Sequence, residues 1–306
     1  MSLRQSVDEY LSLRRHLGFK LEKAGHLLSN FATYMETAGA STVTIALALD
    51  WAKQPAGASA TWWQHRLSVV RGFAHHLHGI DPRHEVPPSA LLPGLRHRDM
   101  PHIFTEAEIS RLMDVAGNLS PDQRATTYTT MVGLLACTGM RSGEALRLDR
   151  GDVDWDEGIL SIRFTKFGKS RQLVLHPTTV DALRRYDDAR RRWCPRPSTP
   201  AFFVLASGAR VRHANFHYAF REIVKRAGLE PESAIRRPRP HDFRHTFAVN
   251  TLIGWYRCGL EINAKMHLLS TYLGHSHPRH TYWYLSTTPT LLAFATQRLE
   301  ATQGVR

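Results

Sequence analysis

Ile159-Leu160-Ser161-Ile162-Arg163-Phe164-Thr165-Lys166-Phe167-Gly168-Lys169-Ser170-Arg171-Gln172-Leu173-Val174-Leu175 reads as strand, turn, strand in a chain whose other patterns are helical. Ile159–Phe164 and Arg171–Leu175 are short β-rich runs, and Thr165–Ser170 carries Gly168 where a hairpin has to turn. Upstream, Ala125–Cys137 is an apolar helix stopped by Gly139. Downstream, Thr178–Arg190 is helical, and Phe216, Ala219, Phe220, Ile223 and Ala227 mark a further helix ended by Gly228. Pro240 suits the start of a helix over His241–Ile253. Leu268–Leu273 stops at Gly274, and Thr290–Glu300 forms an amphipathic tail helix. The expected fold is therefore mainly α with a small antiparallel β-sheet.

The first ninety residues read as helices alone, over Val7–Leu17, Leu21–Met35, Val43–Trp51 and Ala58–Leu77. In the longest, Leu67, Val70, Phe73 or Ala74, and Leu77 make one apolar stripe. Arg66 and Arg71 fall off that stripe, as candidate phosphate contacts or as a solvated face. Asp81–Met100 contains Pro82, Pro87, Pro88, Pro93 and the basic Arg96-His97-Arg98, with no helical period, and reads as extended. Thr105-Glu106-Ala107-Glu108 is a capping box that opens a new helix. The expected division is a helical domain over 1–96, a linker over 97–104, and a second domain over 105–306 that ends in the tail helix.

A formal net charge of +13 points to a polyanionic partner, above all nucleic acid, with a basic housekeeping enzyme as the plainer alternative. The longest apolar run, Met131–Cys137, is far short of the ~20 residues a bilayer needs, and the N-terminus has no apolar signal region. Cys137, Cys194 and Cys258 are odd in number and widely spaced, so no disulfide framework is expected and a reducing cytoplasm fits best. Cys137, inside its apolar run, is expected in the core.

Three segments carry the chemistry: Thr138-Gly139-Met140-Arg141-Ser142-Gly143-Glu144, His241-Asp242-Phe243-Arg244-His245-Thr246, and Leu273-Gly274-His275 with Tyr284 nine residues on. On a helix His241 and Arg244 share one face, and Arg141 opens a helical segment whose N–H groups favour an anion. Two guanidiniums are planar, permanently charged and bidentate, which suits a phosphodiester gaining charge in a five-coordinate transition state. Tyr284 is the expected nucleophile. A phenol with a pKa of about 10 needs help losing its proton, and His241 is placed as base or orienting group. Lys166 on the hairpin loop is the expected proton donor to the leaving 5′-oxygen, and His275 a further donor to the phosphate. The arginines supply the charge and the phosphotyrosine would store the bond energy, so neither metal, ATP nor other cofactor is expected.

In these segments, and in the hairpin Thr165–Arg171, the chain resembles the tyrosine recombinase (phage integrase) family, over about residues 100–300. The helical N-terminal part looks like that family's core-binding domain, without a sharp motif. The resemblance implies a site-specific DNA recombinase or integrase working through a covalent 3′-phosphotyrosyl intermediate, with Arg141, Lys166, His241, Arg244 and His275 around the phosphate and Tyr284 as nucleophile. It implies double-stranded DNA with specific sites as partner, four synapsed protomers, and a tail helix docked on a neighbour. Without an additional arm-binding domain ahead of the helices, a mobile-element recombinase is expected, working alone or with sister recombinases. The interval from Arg244 to His275 is longer than in many relatives, and the extra length is expected around Gly254–Met266, where Trp255-Tyr256-Arg257-Cys258-Gly259 breaks the helical pattern.

Alternatives stand beside these readings. Tyr282 and Tyr272 compete with Tyr284, and Lys169 with Lys166. Arg141 by itself reads as a salt-bridge partner of Glu144. His241 and His245 have the i, i+4 spacing of zinc hydrolases, but Asp242 is short for the usual glutamate and Arg244 would set a positive charge beside the ion. At the level of function the alternatives are a type IB topoisomerase-like relaxing enzyme, a non-catalytic DNA-binding protein, and a metallohydrolase.

Overall fold

Short hydroxyl side chains start most of the N-terminal helices of this computed structural model, which describes residues 2–92, 100–163, 170–230 and 237–303. Ser2 accepts from the Gln5 N–H at the head of α1 (Leu3–His16), Thr44 from Leu47 at α3 (Ile45–Lys53), and Ser59 from Trp62 at α4 (Ala60–His78). Helix α2 (Glu22–Thr37) instead follows Leu21, a residue held at φ 45°. These helices close over Phe31, Trp51, Val70 and Phe73, each essentially inaccessible to solvent. Each such side chain contributes about 1.5–3 kcal/mol of burial. His84 and Glu85 belong to this unit too. The Val43 N–H donates to His84 Nδ1 and the Ile45 N–H to Glu85 Oε2.

The chain divides into two compact units, Met1–Arg98 and Asp99–Arg306. In the second, the expected capping box forms at α5 (Glu106–Gly117): the Glu108 N–H donates to Thr105 Oγ1, and the Thr105 N–H to Glu108 Oε2. Residues 100–104, read as linker, include Phe104, which is buried, stacks on Phe243 at 4.6 Å and donates its N–H to Thr246 Oγ1. Then follow α6 (Asp122–Thr138), α7 (Ser142–Arg147), a three-stranded antiparallel sheet, α8 (Pro177–Trp193), α9 (His213–Arg226), α10 (Asp242–Arg257), α11 (Ile262–Leu273), α12 (Arg279–Tyr282), a 3₁₀ turn over Trp283–Ser286, and α13 (Pro289–Gln303).

The sheet has the order β1 (Val153–Asp154), β2 (Ile159–Ile162), β3 (Arg171–Val174). Its register pairs Ile159 with Val174 and Ile162 with Arg171, so Leu160, Ile162 and Leu173 turn inward. Both hairpin strands are shorter than the sequence pattern. Strand β1 was not foreseen, because two residues are too few to display a period of two.

Helix α10 holds the unit together. Phe243 belongs to one apolar cluster, with Leu135, Phe216 and Phe220, while Ala248, Val249 and Leu252 belong to another, with Met266, Leu269 and Leu273. A helix with a core on each side is buried nearly all round, and so Asp242, Arg244, His245 and Thr246 are all buried. Contrary to expectation, this helix continues through Trp255–Arg257 and ends only at Cys258, with Gly259 at φ 64°. The interruption comes only at Cys258–Glu261, between α10 and α11. The tail helix lies on its own chain rather than standing away from it. Phe294 stacks on Tyr256 at 5.4 Å, and Arg298 donates to the Leu260 carbonyl at 2.6 Å. Cys137 is exposed on α6, not in the core. Among the described residues, no helix is long and apolar enough to cross a membrane.

Candidate active site

The site is built around the C-terminal end of α11. The last carbonyls of a helix lack partners within it and carry the negative end of its dipole. Here three successive carbonyls each accept from a different arginine. Arg171 Nε donates to Tyr272 O at 2.8 Å, Arg244 Nη2 to Leu273 O at 2.6 Å, and Arg141 Nη2 to Gly274 O at 3.4 Å. Gly274 permits the arrangement: its φ is +66°, and a Cβ there would stand 2.9 Å from Arg171 Nη1. The chain reverses at Gly274, and His275 follows at once.

A second glycine turn supplies the opposite wall. Gly139, at φ +58°, ends α6, and its carbonyl accepts from Arg244 Nη1 at 3.2 Å. A Cβ on Gly139 would meet Phe247 at 2.7 Å. Two residues on, Arg141 precedes α7. The carboxylate of Glu144 joins the arginines: its Oε1 accepts from Arg141 Nη1 at 2.8 Å, and its Oε2 from Arg171 Nη2 at 2.8 Å and from the Arg141 N–H at 2.9 Å. Arg141 is thus a partner of Glu144, as it reads by itself, and its second guanidinium nitrogen reaches the Gly274 carbonyl beside His275. The Arg141 N–H, expected among the groups facing an anion, is taken by Glu144.

The electrostatics follow from this packing. Burial opposes the charge on Glu144, but hydrogen bonds and charge from Arg171, then Arg141, outweigh it and hold the carboxyl at about 2. Burial, reinforced by the charge of Arg141, lowers Arg244 to about 10, still charged at neutral pH. Burial and then the charges of Arg244, Arg141, His280 and Arg171 push His275 down to about 3, so its imidazole is neutral.

Tyr284, 2% exposed, comes back to this turn on the 3₁₀ segment after α12. Its ring lies parallel to that of His275, centroids 6.2 Å apart, and 5.5 Å from His245. His245 in turn meets His241 at 4.8 Å, edge to face. His241 is exposed at the head of α10, while Arg244, one turn on, is buried. The rival tyrosines are differently held: Tyr282 is exposed, and Tyr272, whose carbonyl accepts from Arg171, stacks its ring on Phe247 at 5.3 Å. Arg141, Arg244, His275 and Tyr284 are therefore gathered round one turn, with His241 linked to Tyr284 through His245. Lys166 and its rival Lys169 lie outside the described residues. Among the described residues, no group of three His, Cys, Asp or Glu side chains is placed to hold a metal ion.

Sequence reasoning missed Arg171, His245 and the bridging role of Glu144. An arginine at the end of a hairpin loop reads as solvated, and only its meeting with α11, a hundred residues later, changes that. Conversely, Arg66 and Arg71 do not stand free for phosphate. Arg66 is 7% exposed, lies 3.7 Å over the Trp51 ring and donates to the Trp51 carbonyl at 2.7 Å. It precedes Val70 by one helical turn and so borders the buried face, where its stem packs and its head finds a carbonyl. Arg71 donates to the carbonyls of Pro87 and Pro88 at 2.7 and 2.8 Å, tying the proline-rich segment to α4.

The chain matches the model of the phage integrase family over residues 102–290. It is 39% identical over 305 residues to y4rB of Sinorhizobium fredii, named as an integrase/recombinase, covering 98% of this chain and 97% of that one. To y4rE of the same organism, of the same designation, it is 37% identical, covering 97% and 95%. The solved integrase of transposon Tn1549, in complex with transposon right end DNA, shares the fold with a TM-score of 0.69 at 17% identity, covering 98% and 99%. A crystal structure of XerA recombinase aligns with a TM-score of 0.53 at 24% identity, covering 97% of both chains. The family match spans most of the second unit, and the likeness to y4rB runs through nearly the whole of both chains: this protein belongs to the phage integrase family and is a tyrosine recombinase, an enzyme that cleaves and rejoins DNA.

Proposed function

We propose that the protein is the site-specific recombinase of a mobile element, with Tyr284 as its nucleophile. The observation that carries this reading is the convergence of Arg141, Arg244 and His275 on the turn against which the Tyr284 ring is stacked. The Tyr284 oxygen attacks the scissile phosphate, a bond forms to phosphorus, and the 5′-oxygen leaves and takes up a proton. Arg141 and Arg244 hold the non-bridging oxygens as their charge rises, and loss of one such donor typically costs about 100–1000-fold in rate. His241 orients the nucleophile or receives its proton, His275 donates a hydrogen bond to the phosphate, and Lys166 protonates the leaving 5′-oxygen. Attack by a different 5′-hydroxyl reverses the chemistry and joins a new strand, so neither ATP nor a metal is consumed in any step.

In this reading the substrate is double-stranded DNA with specific sites, bound by four protomers in synapsis, alone or with sister recombinases, in the cytoplasm. The Tn1549 neighbour, a transposon integrase in complex with transposon end DNA, supports the mobile-element assignment. The test is a trapping experiment with nicked fragments of the element's own ends, in EDTA. Wild-type protein is expected to give a denaturation-resistant protein–DNA adduct, and Tyr284→Phe to bind the same DNA and give none. An adduct that persists in Tyr284→Phe and vanishes in Tyr282→Phe would overturn the assignment of the nucleophile.

A further inference from the structure

His275 Nδ1 stands 2.7 Å from Thr281 Oγ1, and Thr281 is wholly inaccessible to solvent. The left-handed turn at Gly274 carries the chain out of α11, and the next helix, α12, presents Thr281 to the imidazole. The ring is closed in by the Tyr284 ring on one side and by His280 at 5.9 Å on another, with the charges of Arg244, Arg141 and Arg171 arriving from α10, the head of α7 and β3. Such surroundings admit one proton to the ring, not two. A neutral imidazole has one N–H donor and one bare acceptor nitrogen, and the hydrogen bond at one nitrogen decides which is which.

We infer that Thr281 is a positioning residue: its hydroxyl donates to His275 Nδ1 and so fixes the tautomer in which Nε2 carries the proton. The assignment of direction follows from hydrogen-bond accounting. Among the described residues, the Thr281 side chain has its hydrogen bond with His275. With Nδ1 as donor, the hydroxyl proton would be buried without an acceptor, which is costly. With the hydroxyl as donor, both groups are satisfied and Nε2–H is left to act outward. Resting on the reading of the site given above, this makes His275 a hydrogen-bond donor to the phosphate that cannot switch to an acceptor. Thr281 itself touches no substrate.

The tautomer can be read without DNA, by long-range ¹H–¹⁵N NMR of the full chain near neutral pH, with the His275 ring signals identified by their loss in His275→Gln. Wild type and Thr281→Ser should both show the Nε2–H form, and Thr281→Val a mixture of the two tautomers. In single-turnover adduct formation on nicked sites, Thr281→Val should be about tenfold slower with DNA binding retained, and Thr281→Ser should restore the rate. In a His275→Ala background, Thr281→Val should add no further loss. A wild-type ring protonated on Nδ1, or a Thr281→Val loss as large without His275 as with it, would overturn the inference. A wild type that forms no adduct on any element-end fragment would count against the proposed function, while the ring spectra would still decide the role of Thr281.

Discussion

Glu144 is a buried carboxylate whose charge is imposed by two arginines against the cost of burial. Removing one partner of such a cluster leaves the others unpaired, so Glu144→Gln should cost about 3–5 kcal/mol of stability in denaturant unfolding. The pH dependence has a definite sign. The folded-state value of Glu144 lies below the ordinary one, so its contribution is complete above about pH 4.5 and is lost as the pH falls towards about 2. His275 is a base held neutral, with its folded-state value lowered from 6.5 to about 3. Below 6.5 the unfolded chain takes up a proton that the folded ring refuses, so this group also destabilises the protein as acid is added. His275→Gln should therefore flatten the stability curve between about pH 6.5 and 3, and Glu144→Gln between about 4.5 and 2. Unfolding free energies measured across that range test both, and curves that remain parallel to wild type would refute the assignments. The residues read first in the sequence were those whose neighbours advertise them: Arg141 after Thr-Gly, Arg244 after His-Asp-Phe, Tyr284 nine after Gly-His. Arg171 and His245 stand inside the quoted segments without a role of their own, which they acquire only through contacts between distant parts of the chain.

The elements show why the two glycine turns matter more than their lack of side chains suggests. Gly274 lets the end of α11 collect arginines from β3, α10 and the head of α7. Gly274→Ala must accept a left-handed backbone, at about 1–2 kcal/mol, and a methyl group 2.9 Å from Arg171 Nη1. The guanidinium can swing away, since it is the far end of a flexible chain, so the fold should survive with a thermal midpoint lower by a few degrees. Adduct formation should fall far more than stability, because Arg171 leaves Tyr272 and the turn that carries His275 shifts with it. Equal losses in the two measurements would mean that the turn is only structural. Helix termini were well marked in the sequence wherever a cap residue announced them, as at Thr105, Gly139, Gly228 and Gly274. They were less well marked at α10, where Trp255-Tyr256-Arg257-Cys258-Gly259 read as a break that the structure begins only at Cys258. In the structure Gly254 lies inside α10 with helical residues before and after it, and Tyr256 gains a cover from Phe294 of α13 that no local pattern reveals.

For the whole molecule, a net charge of +13 says that DNA is bound largely through phosphates, but not which cations are involved. Each phosphate contact releases counterions, and the logarithm of the affinity falls with the logarithm of salt concentration by about 0.9 per contact. A recombinase holding six or more phosphates on its own site should lose about a thousandfold in affinity or more between 50 and 200 mM salt. A flat response would refute a phosphate-gripping surface. The same slope decides what Arg66 and Arg71 do. If they were phosphate contacts, replacing each would reduce the slope by about one. The structure commits Arg66 to Trp51 and Arg71 to Pro87 and Pro88, all within the first unit. Arg66→Met and Arg71→Gln should therefore lower the stability of that unit and leave the salt slope as it was, provided the variants are compared at a temperature where both remain folded. A slope lowered by one, with the unfolding midpoint unchanged, would return these arginines to the DNA-facing role that their place beside the apolar stripe first suggested.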